Sequence, residues 1–429
     1  MRRALRGLVG AFSFASCVAG AQVASTLVAN GDVPPGATVD SLLAMARQGN
    51  PELGAMRHEV LAATERVVPA GALMEPRLKV ELQDITKSGE QGATLLPSQV
   101  GSTAYTLTQD FPWSGKRDLK RDIATLDAAA AQGRARQTWV ELAARIKALY
   151  VQRYLVLANQ RIANETLDLM LQQEKVMQVR YAGGLAAQQD ITRIHVEHTG
   201  MRAELVSLGA EWRQTQTRLN QLLARSVDAP LSAPMALRPL PDSGKLEFVA
   251  LAARMRTANP QLSVAASGVQ SAEKTRDLVY KSRYPDFTLG INAMQRQITV
   301  KEWGLMLELT LPIRDRVLQS QERESEAMLS AAQSRQQAAA NQALADLSDN
   351  LIALDAARQT EHLMTYSLMP QADLTWRAAL AAYENGKADF TTLLDAQRQI
   401  RQARQGQIKA QVDAQMRLIE VERLVGEEI

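Results

Sequence analysis

Asn50-Pro51-Glu52-Leu53 returns 209 residues later as Asn259-Pro260-Gln261-Leu262, so the chain carries one structural unit twice. Each Asn can cap a helix with its side-chain oxygen, and each Pro fills a first-turn position whose amide has no helical partner. Leu53, Met56, Val60, Ala63 and Val67 come next at steps of three and four, the stripe of an amphipathic helix. Leu262, Ala265, Val269 and Ala272 repeat it until Arg276. Pro76 and Pro285 keep the same separation, and each opens a strand-like run. Leu78, Val80 and Leu82 alternate with Lys79, Glu81 and Gln83; Phe287, Leu289 and Ile291 alternate with Thr288, Gly290 and Asn292. Period two is the β signal. Partner runs from Thr103 to Phe111 and from Trp303 to Leu311 complete hairpins at about 77–111 and 286–311. The first hairpin has the longer loop, Thr86 to Gly101, which reads as an exposed tip.

Beyond each hairpin lies a very long helix. No proline interrupts Lys116 to Arg180, and Leu155, Ile162, Leu169 and Val176 recur every seven residues after Leu142 and Leu149. A heptad repeat of this extent argues for coiled-coil packing over roughly 100 Å. The second copy runs from about Val317 to Tyr383, and Pro370 predicts a kink near its far end. Turns at Tyr181-Ala182-Gly183-Gly184 and Tyr383-Glu384-Asn385-Gly386 lead into return helices. Pro230, Pro234, Pro239 and Pro241 mark a linker at 226–245, between a first repeat at 38–225 and a second at 246–429. The fold class is therefore mainly α with a small β part. Four strands of about ten residues suit a transmembrane barrel in length but cannot close one, because the smallest have about eight. An open sheet edge is prohibitive in lipid, so several chains must share the barrel, and three would supply twelve strands.

Composition narrows the class. Of 429 residues 46% are hydrophobic and 22% charged, which excludes disorder, while only 4% are aromatic, which favours extended helical packing over a large mixed core. The formal charge of +3 includes Arg2, Arg3 and Arg6, so a chain without them is neutral and offers nucleic acid no basic footprint. Those arginines, the apolar stretch Leu8 to Val18 and Ala19-Gly20-Ala21 make residues 1–21 a secretory signal peptide, with 22–37 a flexible leader. Phe14-Ala15-Ser16-Cys17 also resembles a lipidation box, leaving Cys17 as an alternative processing site. With Cys17 the sole cysteine, an intrachain disulfide is excluded.

The duplicated Asn-Pro starts, the segment Gln109-Asp110-Phe111-Pro112-Trp113-Ser114-Gly115-Lys116-Arg117 and the two Tyr-x-x-Gly turns together resemble the TolC family of outer-membrane efflux proteins. The resemblance covers nearly the whole mature chain and is similar to the heavy-metal branch in the Phe-Pro-Trp-Ser-Gly-Lys-Arg segment. It implies a homotrimer in the outer membrane, with a twelve-strand barrel among the lipids and a helical barrel extending into the periplasm. It implies two partners, a periplasmic adaptor and an inner-membrane resistance-nodulation-division pump. Gly184, Leu185, Gly386 and Lys387 would be the adaptor-facing tips, and Asp190, Thr392 and Asp395 the periplasmic constriction. Thr392 departs from members that carry an acid there, which puts a double acidic ring in doubt.

Catalytic signatures are missing from the sequence: there is no phosphate loop, nucleophile elbow or metalloprotease motif, so no enzyme and no cofactor is expected. His195 and His198 share a helical face, but two imidazoles without a carboxylate set read as solvated histidines rather than a metal site. Lys116, Arg117, Lys120 and Arg121 read either as a solvated helix start or as a contact with lipid headgroups.

Overall fold

A computed structural model describes residues 35–86, 94–184, 186–313 and 315–429; the signal peptide with Cys17, most of the leader, part of the first hairpin loop and Leu185 lie outside the described residues. The first repeat comprises α1 (Val39–Gly49), α2 (Pro51–Glu65), α3 (Val67–Gly71), β1 (Arg77–Gln83), β2 (Ser102–Phe111), α4 (Lys116–Ala182) and α5 (Gln188–Leu222). The second comprises α6 (Phe248–Ala258), α7 (Pro260–Lys281), β3 (Asp286–Arg296), β4 (Thr299–Thr310), α8 (Asp315–Leu363), α9 (Met369–Glu384) and α10 (Phe390–Val425).

The two Asn-Pro motifs do the same job. Asn50 Oδ1 accepts from the amides of Glu52 and Leu53 at 2.8 and 3.2 Å, while its Nδ2 donates to the Leu222 carbonyl at 2.8 Å. Asn259 Oδ1 accepts from the Leu262 amide at 3.0 Å, and its Nδ2 donates to the Leu424 carbonyl at 2.7 Å. One amide side chain thus caps the start of one helix and holds the end of the return helix. The stripe in the first copy is interrupted, however. Val67 belongs to the separate turn α3, whereas α7 continues unbroken.

The long helix α4 buries Leu142 and Ile162 of the expected stripe, but its seam with α5 lies one residue further along. Val156, Ala163, Met170 and Met177 are buried, whereas Val176 is 55% exposed. Ala163, Met170 and Met177 belong to the same cores as Leu208, Met201 and Ile194 of the antiparallel α5. Ala and Met carry this seam, and a reading guided by Leu, Ile and Val slides to the neighbouring register. Around Pro370 the regular α-helix is interrupted. A π turn, Met364–Leu368, joins α8 to α9, and the Met369 amide reaches back five residues to the Met364 carbonyl. Proline supplies no amide at the next position, and the widened turn accommodates the disruption.

The four strands form one antiparallel sheet in the order β1-β2-β3-β4, so the central β2–β3 pair joins the two repeats. Register sorts its faces. Leu78, Leu107, Ile291 and Leu305 form one row; Val80, Tyr105, Ala293 and Trp303 form another. The alternate row of Lys79, Thr106, Asn292 and Gly304 is polar. Leu305 is 89% exposed in the single chain and Trp303 75%, so among the described residues no element of its own chain covers this apolar face. It runs from the stacked Phe111–Phe287 pair to the Tyr105–Trp303 row, about 20 Å at strand spacing, against an apolar band of about 25 Å in outer-membrane barrels. Strand β4 begins at Thr299, ahead of the Trp303 start expected from the sequence, after a tight turn with Gln297 at φ 55°. The described part of the first hairpin loop folds back rather than projecting throughout: the Gly101 amide bonds the Asp84 carbonyl at 3.1 Å, and Val100 is buried. Among the described residues no helix is long and apolar enough to cross a membrane.

Candidate functional site

Charged contacts join the repeats at the junction beneath the sheet, at the buried Glu422, which pairs with Lys147 at 3.0 Å and Arg238 at 2.5 Å, and at the far ends of the long helices. At the junction, Lys116 is buried, and its Nζ donates to Asp286 Oδ1 at 2.8 Å and to the Tyr284 carbonyl at 3.0 Å. Asp286 Oδ1 also accepts the Trp113 amide at 2.7 Å, and the Trp113 and Tyr284 rings stack with centroids 5.3 Å apart. Arg117 Nε donates to the Gly71 carbonyl at 2.9 Å. Lys116 and Arg117 are therefore clasps between elements. For these two residues the structure replaces both the solvated helix start and the headgroup contact, because the carbonyls and the carboxylate that hold them come from distant segments.

At the other end, Gly184 and Gly386 occupy equivalent turn positions with φ 71° and 70°, a left-handed conformation that side chains disfavour. Their amides bond the Tyr181 and Tyr383 carbonyls at 2.9 and 3.1 Å, and the Lys387 amide bonds the Ala382 carbonyl at 2.8 Å. The two tyrosines differ in surroundings. Tyr181 is 46% exposed, whereas the Tyr383 hydroxyl donates to Met177 Sδ at 2.6 Å and its ring meets Arg180 at 4.8 Å and Phe390 edge-on at 5.9 Å. The second turn is thus anchored on the first repeat.

Asp190 stands in the first turn of α5, half-buried, and its carboxylate has no hydrogen bond or ion pair among the described residues. Asp395 stands on α10 and is paired with Arg398 at 3.3 Å; Arg398 also engages Glu197 of α5. Thr392 serves the helix start, since its amide and hydroxyl donate to Asp389 Oδ1 at 2.9 and 2.6 Å. These bonds to the Thr392 hydroxyl and amide, with Arg193 nearby, hold the Asp389 carboxyl below the ordinary 3.8. Sequence reasoning passed over Asp389, although an Asp just before Phe390-Thr391-Thr392 is a recognisable N-cap signal. Arg193 bonds the Thr391 hydroxyl, and Arg401 pairs with Glu204 at 2.8 Å, so α5 and α10 are tied at three levels. A cleft of about 270 Å³ opens beside them, lined by Arg193, Glu197, Asp395 and Arg398. Among the described residues the acid on α5 is thus without an ion-pair partner, and the one on α10 has Arg398 beside it.

His195 Nε2 lies 3.0 Å from Glu174, and His198 is half-buried on the same helix. Among the described residues no three His, Cys, Asp or Glu side chains gather as a metal site.

Residues 42–225 and 251–427 match the outer membrane efflux protein family. The cobalt-zinc-cadmium resistance protein CzcC of Cupriavidus metallidurans is 22% identical over 375 residues, 86% of this chain and 84% of that protein. The nickel and cobalt resistance protein CnrC of the same organism is 31% identical over 117 residues, 27% of each chain. Among solved structures, the outer membrane protein VceC of Vibrio cholerae superposes with a TM-score of 0.78 at 17% identity, covering 91% of this chain and 96% of that one. CusC superposes with a TM-score of 0.76 at 17% identity, covering 91% and 92%. The architecture is thus the helical barrel with a shared β-barrel found in these channels.

Proposed function

This chain belongs to the outer membrane efflux protein family, and from that premise we propose that it is the outer-membrane exit duct of a tripartite efflux system. The duct is a homotrimer whose twelve strands cross the outer membrane and whose helices extend through the periplasm. Gly184, Gly386 and Lys387 at the helical tips meet a periplasmic adaptor, which couples the duct to an inner-membrane resistance-nodulation-division pump. The cargo is heavy-metal cations. The observation that carries this reading is the likeness to CzcC along 86% of the chain, through both repeats. The uncovered apolar sheet face supports the membrane placement, since an exposed apolar area of that extent marks a surface made for lipid or a partner.

The mouth is proposed to lie at the helical ends, with Asp190 supplying its negative field. Three copies would gather near the axis. Like charges about 6 Å apart repel by roughly 0.7 kcal/mol in water, and by several-fold more in a narrow channel. Asp395, paired with Arg398, contributes less, and Thr392 acts through the Asp389 cap. The test is conductance of the purified full-length protein in planar bilayers, with Asp190→Asn and Asp395→Asn compared. Cation preference should fall in the first variant and change little in the second. Absence of conductance in the wild type, together with failure to restore metal tolerance to a strain lacking the gene, would overturn the reading.

A further inference from the structure

We infer that Gln173, His198 and Gln397 form a single polar layer in the helical core, and that this layer is where the mouth parts when it opens. The inference rests on the conduit reading and adds to it the level of the hinge.

The layer is defined by the packing on either side of it. Met177 of α4, Ile194 of α5 and Leu393 and Leu394 of α10 belong to one buried cluster at the mouth. Gln173 lies one turn from Met177, His198 one turn from Ile194, and Gln397 one turn from Leu393. Because α4 runs towards the mouth while α5 and α10 run away from it, all three steps go in the same direction. Lateral ties fix the level independently. Glu174 meets His195 at 3.0 Å, Arg398 engages Glu197, and Arg401 meets Glu204 at 2.8 Å. Beyond the layer, Met170 and Met201 restore an apolar core between α4 and α5, and Ile400 and Ala403 continue one on α10.

Five polar atoms sit in this layer without a hydrogen-bond partner among the described residues: Nε2 and Oε1 of Gln173, Nε2 of His198, and Nε2 and Oε1 of Gln397. Gln397 is only 3% exposed. Unpaired polar atoms are unfavourable contents for a core, and each such group in a native structure calls for an explanation. Separation of α10 from α4 and α5 at this level breaks the Arg398–Glu197 tie but lets the three side chains reach solvent, so the core itself opposes opening least here. The apolar layers on both sides lose contact when parted and gain nothing in return. The polar layer thus makes the mouth divide at one defined height instead of fraying along the bundle.

The test replaces the amides by apolar groups of similar size. Gln173→Leu with Gln397→Leu, and the milder Gln397→Met alone, should raise the thermal midpoint of the trimer and lower single-channel open probability about tenfold. Hydrogen exchange should at the same time slow in residues 394–400 and remain unchanged in 408–418. A lower midpoint would mean that the amides are paired within the assembly, which overturns the inference. An unchanged open probability in a variant whose wild type conducts does the same, and leaves the conduit reading intact. A wild type that never conducts counts against the conduit itself.

Discussion

Lys116 of the first repeat and Asp286 of the second are ion-paired at 2.8 Å, across the place where strands give way to helices. The lysine side chain is 9% exposed and the aspartate 45%, so the pair is half in water and is worth less than a fully buried one. Lys116→Met should therefore destabilise the trimer by about 1–2 kcal/mol, chiefly through the two acceptors left short of a donor. Thermal unfolding in detergent would measure it. No loss would shift the strength of the junction to the Trp113–Tyr284 stack.

The register of the sheet predicts opposite outcomes for one charge on its two faces. Leu305→Arg places a cation on the apolar face and should cost roughly 2–4 kcal/mol near the bilayer midplane. Asn292→Arg points the same group to the polar side, where it should be tolerated. Trimer yield in membranes distinguishes them, and equal yields would reverse the assigned faces.

Close packing of α4 on α7 depends on small residues. A Cβ on Gly133 would lie 2.5 Å from Val264 Cγ2, and Ala128 and Ala131 are buried nearby on α4, while Ala129 and Ala130 are only half-buried. Ala131→Leu should overpack the seam by about 1–3 kcal/mol, and Ala129→Leu by less. Denaturant midpoints with unchanged slopes would record the difference; a reversed order would put the seam on the other side of the helix.

The Asp389 cap predicts a pH effect confined to the mouth. Its carboxyl binds protons less readily in the fold than in the unfolded chain. The cap therefore contributes in full above the ordinary value of 3.8 and is lost as pH falls through the lower folded value. Exchange protection of the first turn of α10 should drop in acid, whereas Asp389→Asn, a capping residue that does not titrate, should show a flat profile. The same acid loss in that variant would assign the effect to another carboxyl.

Punctuation and period were the legible part of the sequence. Asn50, Asn259, Pro76, Pro285 and the two glycine turns are local signals, and each element they announced is present. Alternation in the strands likewise fixed which side chains share a face. Relations across hundreds of residues were the part that stayed hidden. Lys116 looked like a helix start because Asp286 and Tyr284 are remote in the chain; Arg398, by contrast, stands only three residues from Asp395, and what stayed hidden was that it also engages Glu197 on another helix. The α4 seam was legible at Leu142 and Ile162 but slid by one residue towards the tip, for a different reason. Ala163, Met170 and Met177 are weaker hydrophobic markers than Ile162, Leu169 and Val176, and only neighbouring helices reveal which side faces inward. Lys301 and Glu302 similarly masked the start of β4, since the register shifts between Met294 and Gln295, Lys301 is left without a cross-strand partner, and the alternation breaks there.

The π turn at Met364–Leu368 bears on the history of the duplication. A π turn is the form an α-helix takes when it has absorbed an extra residue without rotating the turns beyond it. From strand end to tip, Pro312 to Gly386 is two residues longer than Pro112 to Gly184. The second copy has therefore drifted in length while its tyrosine still arrives at the level of the first. Such a helix is a tolerant place for insertion and deletion: removing one residue from 364–368 should heal the turn into regular α-helix. Two once-identical halves can diverge in this way without losing their common endpoint.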